Sequence, residues 1–509
     1  MRNTFKLSAK SGEGIWEILS PPLPESPRLF PSSLFALENV EETFTLSEAV
    51  EAIGMGKFQI MLILMAGLLI CVIPWSSVAF CFGTNNSLFM AFVILGRGLH
   101  YYGMQNAESM VWYRIVFLGM AIGSPLWGWL SDNLGRKNMI IISASWLGYF
   151  GFISSFSPHY MWIIALRCLV GVGIGGIPTM YTLLIEFLPI HVRSYIILCL
   201  AFFWALGSTF LVVIALVVMP TLGWRWLTAF ATLPVVIFII LSRWLPESPR
   251  YLIASGEKEK GIEVLQRMAK INGTKLPPGT LRIETEANEQ GKIQVLFNSE
   301  YRLTTILLWL TFFSSGFLYY GVVLMTTQVF QQVQAGESMC DKETLSTSSA
   351  EFGCRLLTVD DYISLLWTTV AEFPGILFTM LCMERLGRKK TLAGEFFLVA
   401  ASLSLMFICT GRNLMLVFIF MVRGFSLGVF QGFFVYAPEV YPTIIRSIGL
   451  GCCSTWARIG AMLTPYVAQV LLRVSWNLSL AVYISLSLMA LVATLLLPYE
   501  TKGRPMQEM

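Results

Sequence analysis

Long apolar runs recur along the chain, separated by short polar breaks. Runs long enough to cross about 30 Å of hydrocarbon fall at 58–82, 111–130, 138–157, 161–184, 195–219 and 225–245, and again at 303–327, 362–383, 391–410, 413–436, 447–471 and 476–497. None alternates strictly, so each reads as a helix, which satisfies its own backbone polar groups in lipid. The pattern predicts an all-α membrane protein with about twelve transmembrane helices, spans 1 to 12 in chain order. Polar stretches divide it into a 1–57 amino-terminal segment, a first half at 58–245, a linker at 246–302, a second half at 303–497 and a 498–509 tail. A long loop, 328–361, separates spans 7 and 8.

Composition narrows the class. The chain is 55% hydrophobic and 13% charged, against about 25% charged in soluble domains, so a bilayer must solvate the apolar surface. A net charge of +4 gives no field for nucleic acid, and none is expected as a partner. Ten scattered cysteines and three separated histidines, His100, His159 and His191, form no metal-ligand or catalytic spacing. No P-loop is present. No metal, cofactor or enzymatic activity is expected. Gly171-x-Gly173-x-Gly175-Gly176 lies inside an apolar run, where it reads as close helix packing rather than a nucleotide loop. Pro178 and Pro374 mark kinks.

Basic residues concentrate in alternate loops: Arg136 and Lys137; Arg193; Arg385, Arg388, Lys389 and Lys390; and Arg446. The positive-inside rule places these loops and both termini in the cytosol. Cys340 and Cys354 then share an outer, oxidising loop, where a disulfide is expected. Asn85, in an outer sequon, is the expected glycosylation site, whereas the Asn272-Gly273-Thr274 sequon falls on the cytosolic side.

The loop after span 2, Gly128-Trp-Leu-Ser-Asp132-Asn-Leu-Gly135-Arg136-Lys137, returns after span 8 as Glu384-Arg385-Leu386-Gly387-Arg388-Lys389. Glu186-x-x-Pro189-x-x-x-Arg193 returns as Glu439-x-x-Pro442-x-x-x-Arg446, and Leu245-Pro246-Glu247-Ser248 as Leu497-Pro498-Tyr499-Glu500-Thr501. The offsets are 252, 253 and 252. Two halves of one design follow from three motifs in one order.

These motifs, with Pro249-Arg250 and the closing Pro-Tyr-Glu-Thr-Lys-Gly, resemble the major facilitator superfamily. Glu41 to Val50, Leu222-Gly223-Trp224-Arg225-Trp226 and Leu366-Trp367-Thr368-Thr369 are similar to its synaptic vesicle 2-related and SVOP-like branch. The resemblance implies transport by alternating access, with substrate held between the halves near the midplane. It also implies a cytosolic gate of Asp132, Arg136, Glu186 and Arg193, repeated as Glu384, Arg388, Glu439 and Arg446. Between about 68 and 116 the sequence departs from the branch, and 58–96 lacks the acid that span 1 of such relatives carries.

Charges at the midplane are expensive and therefore informative. Glu372, Arg423 and Arg458 are placed there by their depth in spans 8, 10 and 11; Arg167 lies nearer the outer end of span 4. Trp456-Ala457-Arg458-Ile459-Gly460 is similar to the corresponding segment of organic-anion carriers, in which the arginine faces the substrate. Arg458 can hold a carboxylate or sulfate bidentately, or instead pair with Glu372 to fix helix packing. Glu372, Arg423, Arg458, Tyr319 and Tyr320 form the candidate substrate set, with Trp204, Phe425 and Tyr436 as further aromatics. The expected function is secondary transport of a small organic solute, an organic anion favoured, with a coupled proton, in the plasma membrane or a vesicle membrane. The alternative is a transport-inactive, transporter-like binding or vesicle-resident protein.

Overall fold

A computed structural model describes residues 43–83, 107–158, 160–282, 293–333, 359–408, 412–441 and 443–502. Asn85, Cys340, Cys354 and most of the atypical stretch before span 2 lie outside the described residues.

Helices occupy every predicted span. Lys57–Gly83, Ala107–Leu134 and Arg136–Ser154 are spans 1 to 3. Span 4 is Tyr160–Ile174 followed by Pro178–Glu186, with Pro178 at the start of the second piece, where its missing N–H costs no hydrogen bond. Span 5 is Arg193–Thr221, and span 6 runs through Trp224–Phe230, Leu233–Leu241 and the 3-10 turn Ser242–Trp244. In the second half, Arg302–Val333 is span 7, Val359–Val370 and Glu372–Leu386 are span 8, and Arg388–Leu405 is span 9. Arg412–Val440, Thr443–Pro465 and Trp476–Leu496 are spans 10 to 12. After Pro465, span 11 continues as a π-helix, Tyr466–Leu471. Among the described residues, seven helical stretches, those of spans 4, 5, 6, 7, 8, 10 and 12 with each broken span taken as one, are long and apolar enough to cross a bilayer.

The sequence repeat is also a packing repeat. Span 1 packs on 5 as 7 does on 11, span 2 on 4 as 8 does on 10, and span 3 on 6 as 9 does on 12. Glycines at equivalent positions bring these backbones together. A Cβ on Gly123 would lie 2.4 Å from the Val172 carbonyl oxygen, and one on its counterpart Gly375 would lie 2.3 Å from that of Gly424. A Cβ on Gly207 would lie 2.5 Å from the Cys71 carbonyl oxygen of span 1, as one on Gly460 would lie 2.3 Å from that of Phe313 in span 7. Small residues at such crossings let dispersion and helix contact replace the hydrophobic drive that lipid does not supply. The halves meet where span 11 packs on span 2 and where spans 8 and 10 pack on span 5.

Polar segments carry structure of their own. Leu46–Ile53 is a short amphipathic helix capped reciprocally by Thr45 and Glu48, burying Ala49, Val50 and Ile53. In the linker, the helix Lys258–Asn272 docks its last residue on the start of span 1. Asn272 Oδ1 accepts from the Phe58 N–H at 3.1 Å, and its amide donates to Gln59 Oε1 at 2.8 Å. The asparagine of the sequon expected on the cytosolic side is thus engaged within the fold. Thr43–Phe44 pairs in parallel with Thr280–Leu281.

Replacing Gly119, whose added Cβ would lie 2.2 Å from the Cys168 carbonyl oxygen, by Val should destabilise the first half by about 1–3 kcal/mol. Gly394→Ala, at a position with nothing within 4 Å, should be neutral or slightly stabilising. Thermal unfolding in detergent measures both; equal midpoints would contradict the close-packing account.

Candidate functional site

The end of the bundle bearing the repeated loops, called the motif end, holds two matching networks. Gly135 and Gly387 open spans 3 and 9 with φ of 90° and 94°, a left-handed geometry that favours glycine. Each admits a carboxylate against the helix start, where N–H groups and the helix dipole favour negative charge. Glu247 Oε1 accepts from the Arg136 and Lys137 N–H groups at 2.8 and 3.1 Å, and Glu500 Oε1 from the Arg388 N–H at 2.8 Å. Arg136 pairs with Glu186, which also receives the Ser248 hydroxyl. In the second half, Arg388 pairs with Glu439 at 3.1 Å, and Thr501 donates to Glu439.

Four of the eight proposed gate residues, Arg136, Glu186, Arg388 and Glu439, thus lie in these pairs, each pair inside its own half. Arg193 and Arg446 donate to the equivalent carbonyls of Leu188 and Tyr441 at 3.0 and 3.2 Å. Arg193 opens the span 5 helix, two residues outside its apolar membrane stretch Tyr195–Thr221. Burial, reinforced by the charges of Arg250 and Arg446, pushes its guanidinium down to about 10. Asp132 is exposed and outside the first network, its expected place taken by Glu247. Glu384 is exposed and reaches across to the Tyr195 hydroxyl of span 5. Glu247, Ser248, Glu500 and Thr501 were visible in the repeated motifs but carried no assigned role; their common offset of 253 was the available signal.

At mid-height, the broken span 8 places Glu372 in the first turn of its second helix, after Ala371. Pro374 lacks the N–H that would carry the helix through this point. Glu372 is fully buried and Arg423 is 4% exposed; Arg423 Nε donates to Glu372 Oε1 at 3.0 Å. The Tyr319 hydroxyl of span 7 reaches the same oxygen at 3.3 Å, and Trp204 Nε1 of span 5 donates to Tyr319 at 2.7 Å. Ser208 of span 5 lies beside the carboxylate, its own hydroxyl bonded to the Trp204 carbonyl oxygen at 3.1 Å, and Glu372 Oε2 has no hydrogen-bond partner among the described residues. One acid thus gathers four spans and joins both halves.

Arg458 does not pair with Glu372, the packing alternative considered from sequence: Glu372 is taken by Arg423. Arg458 instead crosses the seam from span 11, donating to Ser124 Oγ and, at 3.4 Å, to the Met120 carbonyl oxygen of span 2. Among the described residues no carboxylate pairs with it. Tyr320 lies beside it and packs edge-on against Phe117 with ring centroids 4.8 Å apart. Phe430 stacks on Tyr319 at 5.6 Å and meets Tyr320 edge-on at 6.1 Å.

Sequence reasoning missed Phe117, Ser124, Ser208 and Phe430, because nothing local distinguishes an aromatic or hydroxyl at the seam from one facing lipid. Two aromatics it singled out lie elsewhere: Phe425 packs on Phe378 at 5.4 Å, and Tyr436 bonds the Tyr499 carbonyl at the motif end. A cleft of about 510 Å³ between spans 5 and 6, lined by residues such as Phe210, Val217 and Ile237, presents no polar surface and suits an acyl chain rather than a polar solute.

A family profile described as "Sugar (and other) transporter" matches residues 89–509. The chain is 45% identical over 471 residues to the synaptic vesicle 2-related protein of Xenopus laevis, covering 92% of this chain and 83% of that protein. Identity to the SVOPL protein of Homo sapiens is 31% over 475 residues, covering 92% of this chain and 94% of that protein. Among solved structures, the proton:xylose symporter XylE bound to 6-bromo-6-deoxy-D-glucose superposes with a TM-score of 0.62 at 17% identity, covering 89% of this chain and 98% of that one. At that identity the likeness speaks for the fold.

Removing Arg423 alone should leave a buried, unpaired Glu372 and cost about 3–5 kcal/mol, whereas replacing both partners by Met should cost much less. Thermal unfolding of Arg423→Met, Glu372→Met and the double variant tests this. Additive losses would mean that the pair is not coupled.

Proposed function

The chain belongs to the sugar (and other) transporter family of the major facilitator superfamily, and from that premise we propose that it is a secondary transporter of a small organic anion working by alternating access. The observation that carries the choice of substrate is Arg458. It is a guanidinium at the seam, without an acid partner among the described residues, bonded to neutral groups of the opposite half. A carboxylate or sulfate entering there replaces two neutral acceptors with a charge-assisted, bidentate pair. The same exchange removes a contact between spans 2 and 11, so the ligand binds the two arrangements of the halves unequally, which any coupling to motion requires. Tyr319, Tyr320 and Phe430 offer ring faces and edges beside the charge.

Glu372 and Arg423 serve in this reading as the positioning pair. Protonation of Glu372 frees Arg423 for the ligand and couples binding to a proton. The motif end is taken as cytosolic from its basic loops and as the gate, its ion pairs shaping the loops of each half and the exposed Glu384–Tyr195 contact crossing between them. Similarity to synaptic vesicle 2-related proteins supports a vesicle membrane. The outer loop with Cys340 and Cys354, and Asn85, then face the lumen or exterior.

Purified protein in liposomes should take up a labelled carboxylate or sulfate ester from a test panel saturably. Loss of the Arg458 pair should weaken half-saturation about tenfold to a hundredfold in Arg458→Ala, with Arg458→Lys intermediate. Ligand binding without flux would instead favour a transport-inactive protein. Saturable uptake with wild-type half-saturation in Arg458→Ala would remove Arg458 from the site.

A further inference from the structure

Span 9 buries an acid that the central cluster does not use. Glu395 is 1% exposed; its Oε1 lies 2.5 Å from the Thr379 hydroxyl of span 8, and its Oε2 has no hydrogen-bond partner among the described residues. No cation among the described residues pairs with it. From span 8 the titratable neighbour is Cys382. Span 10 presents Gly428, where a Cβ would lie 3.1 Å from Glu395 Oε1, and its Arg423 is committed to Glu372. Span 12 carries one titratable residue over Trp476–Leu496, Tyr483, whose hydroxyl is shared with Thr464.

Hydrogen counting points to the state of this carboxyl. Thr379 Oγ1 also lies 3.0 Å from the Gly375 carbonyl oxygen, which can only accept. A hydroxyl has one hydrogen. With that hydrogen on Gly375, the short contact to Glu395 is a bond only when the carboxyl donates. A neutral Glu395 satisfies both contacts and leaves Oε2 as an uncharged carbonyl oxygen. An ionised one would be a buried charge facing a single hydroxyl, which burial without a cation strongly disfavours.

The internal repeat shows that the architecture does not require an acid here. The counterpart of Glu395 at the offset of 252 is Ser143, a buried residue whose hydroxyl bonds the Ile140 carbonyl at 3.0 Å. Position is suggestive as well. Thr379 stands about 10 Å along span 8 from Glu372, toward the motif end, by helical rise. Glu395 stands a similar distance from the start of span 9.

We propose that Glu395 is a proton-binding site of the second half, separate from the Glu372–Arg423 pair, protonated in the buried packing and deprotonated when spans 8 and 9 admit water. Release leaves a carboxylate on Glu395 and passes one proton to water; uptake reverses it, with no other reactant. Coupling of this proton to solute movement rests on the transporter reading, but proton binding at Glu395 does not.

The test is infrared spectroscopy of the full-length protein in lipid nanodiscs, in H2O and D2O. Wild type should show a carboxylic C=O band that shifts on deuteration and falls with rising pH. The band should disappear in Glu395→Gln and persist in Glu372→Gln. Should Glu395→Gln fail to fold, Thr379→Val, which keeps the acid and removes its hydroxyl partner, should shift the band. A spectrum unchanged by Glu395→Gln, or unmoved by Thr379→Val, overturns the proposal, and a band constant up to strongly alkaline pH overturns release. Because no solute is involved, failure of transport would leave this result standing.

Discussion

A charge enclosed in a helical bundle within lipid persists only with its partner beside it, and the Glu372–Arg423 pair meets that demand. The carboxylate is fully buried, so its hydrogen-bond partners have to come from protein. They come directly from spans 7 and 10, and from span 5 through the Trp204–Tyr319 bond. Meeting the pair's needs therefore fixes how four helices approach one another. It also places the rings of Trp204 and Tyr319 at the seam between halves. The break in span 8 belongs to the same arrangement, since it sets Glu372 in a helix's first turn, where the dipole favours an anion.

Comparison of the halves separates structural from chemical positions. Residues that repeat at the common offset build the frame: Gly135 and Gly387, Glu247 and Glu500, Glu186 and Glu439, Gly207 and Gly460. Residues at which the repeat breaks carry the charges of the interior. Met120 stands opposite Glu372, Val170 opposite Arg423, Ala205 opposite Arg458 and Ser143 opposite Glu395. A bundle with two like halves can be stable with neutral residues at all these places. Ionisable groups there add desolvation cost that packing alone does not call for.

The seam and the motif end are built to different strengths. Arg136–Glu186 and Arg388–Glu439 tie loops within one half, each backed by a carboxylate on a helix start. Between the halves, the described polar links are fewer and include the Arg458–Ser124 and Trp204–Tyr319 bonds. Stiff halves with a lightly bonded seam are the mechanical requirement of rocking motion.

Much of this was written in the chain. Apolar runs delimited the spans because lipid demands continuous helices of a minimum length, and the recurring Gly-Arg-Lys and Glu-x-x-Pro-x-x-x-Arg motifs, with Pro-Glu-Ser matched by Pro-Tyr-Glu-Thr, marked the two halves. The depth of Glu372, Arg423 and Arg458 was countable from helical rise. Pairing was not, because the rotation of each helix about its axis is set by its neighbours. Depth made Arg458 the partner considered for Glu372, and the packing of span 10 on span 8 brought Arg423 there instead. The same reason hid Ser124, Phe117 and Phe430, and left Glu395 looking like one more residue of an apolar helix. Sequence alone determined the number, length and twofold plan of the helices, whose constraints are local and periodic. Tertiary structure decided which charges are neutralised and which face the seam, since that depends on contacts between residues far apart in the chain.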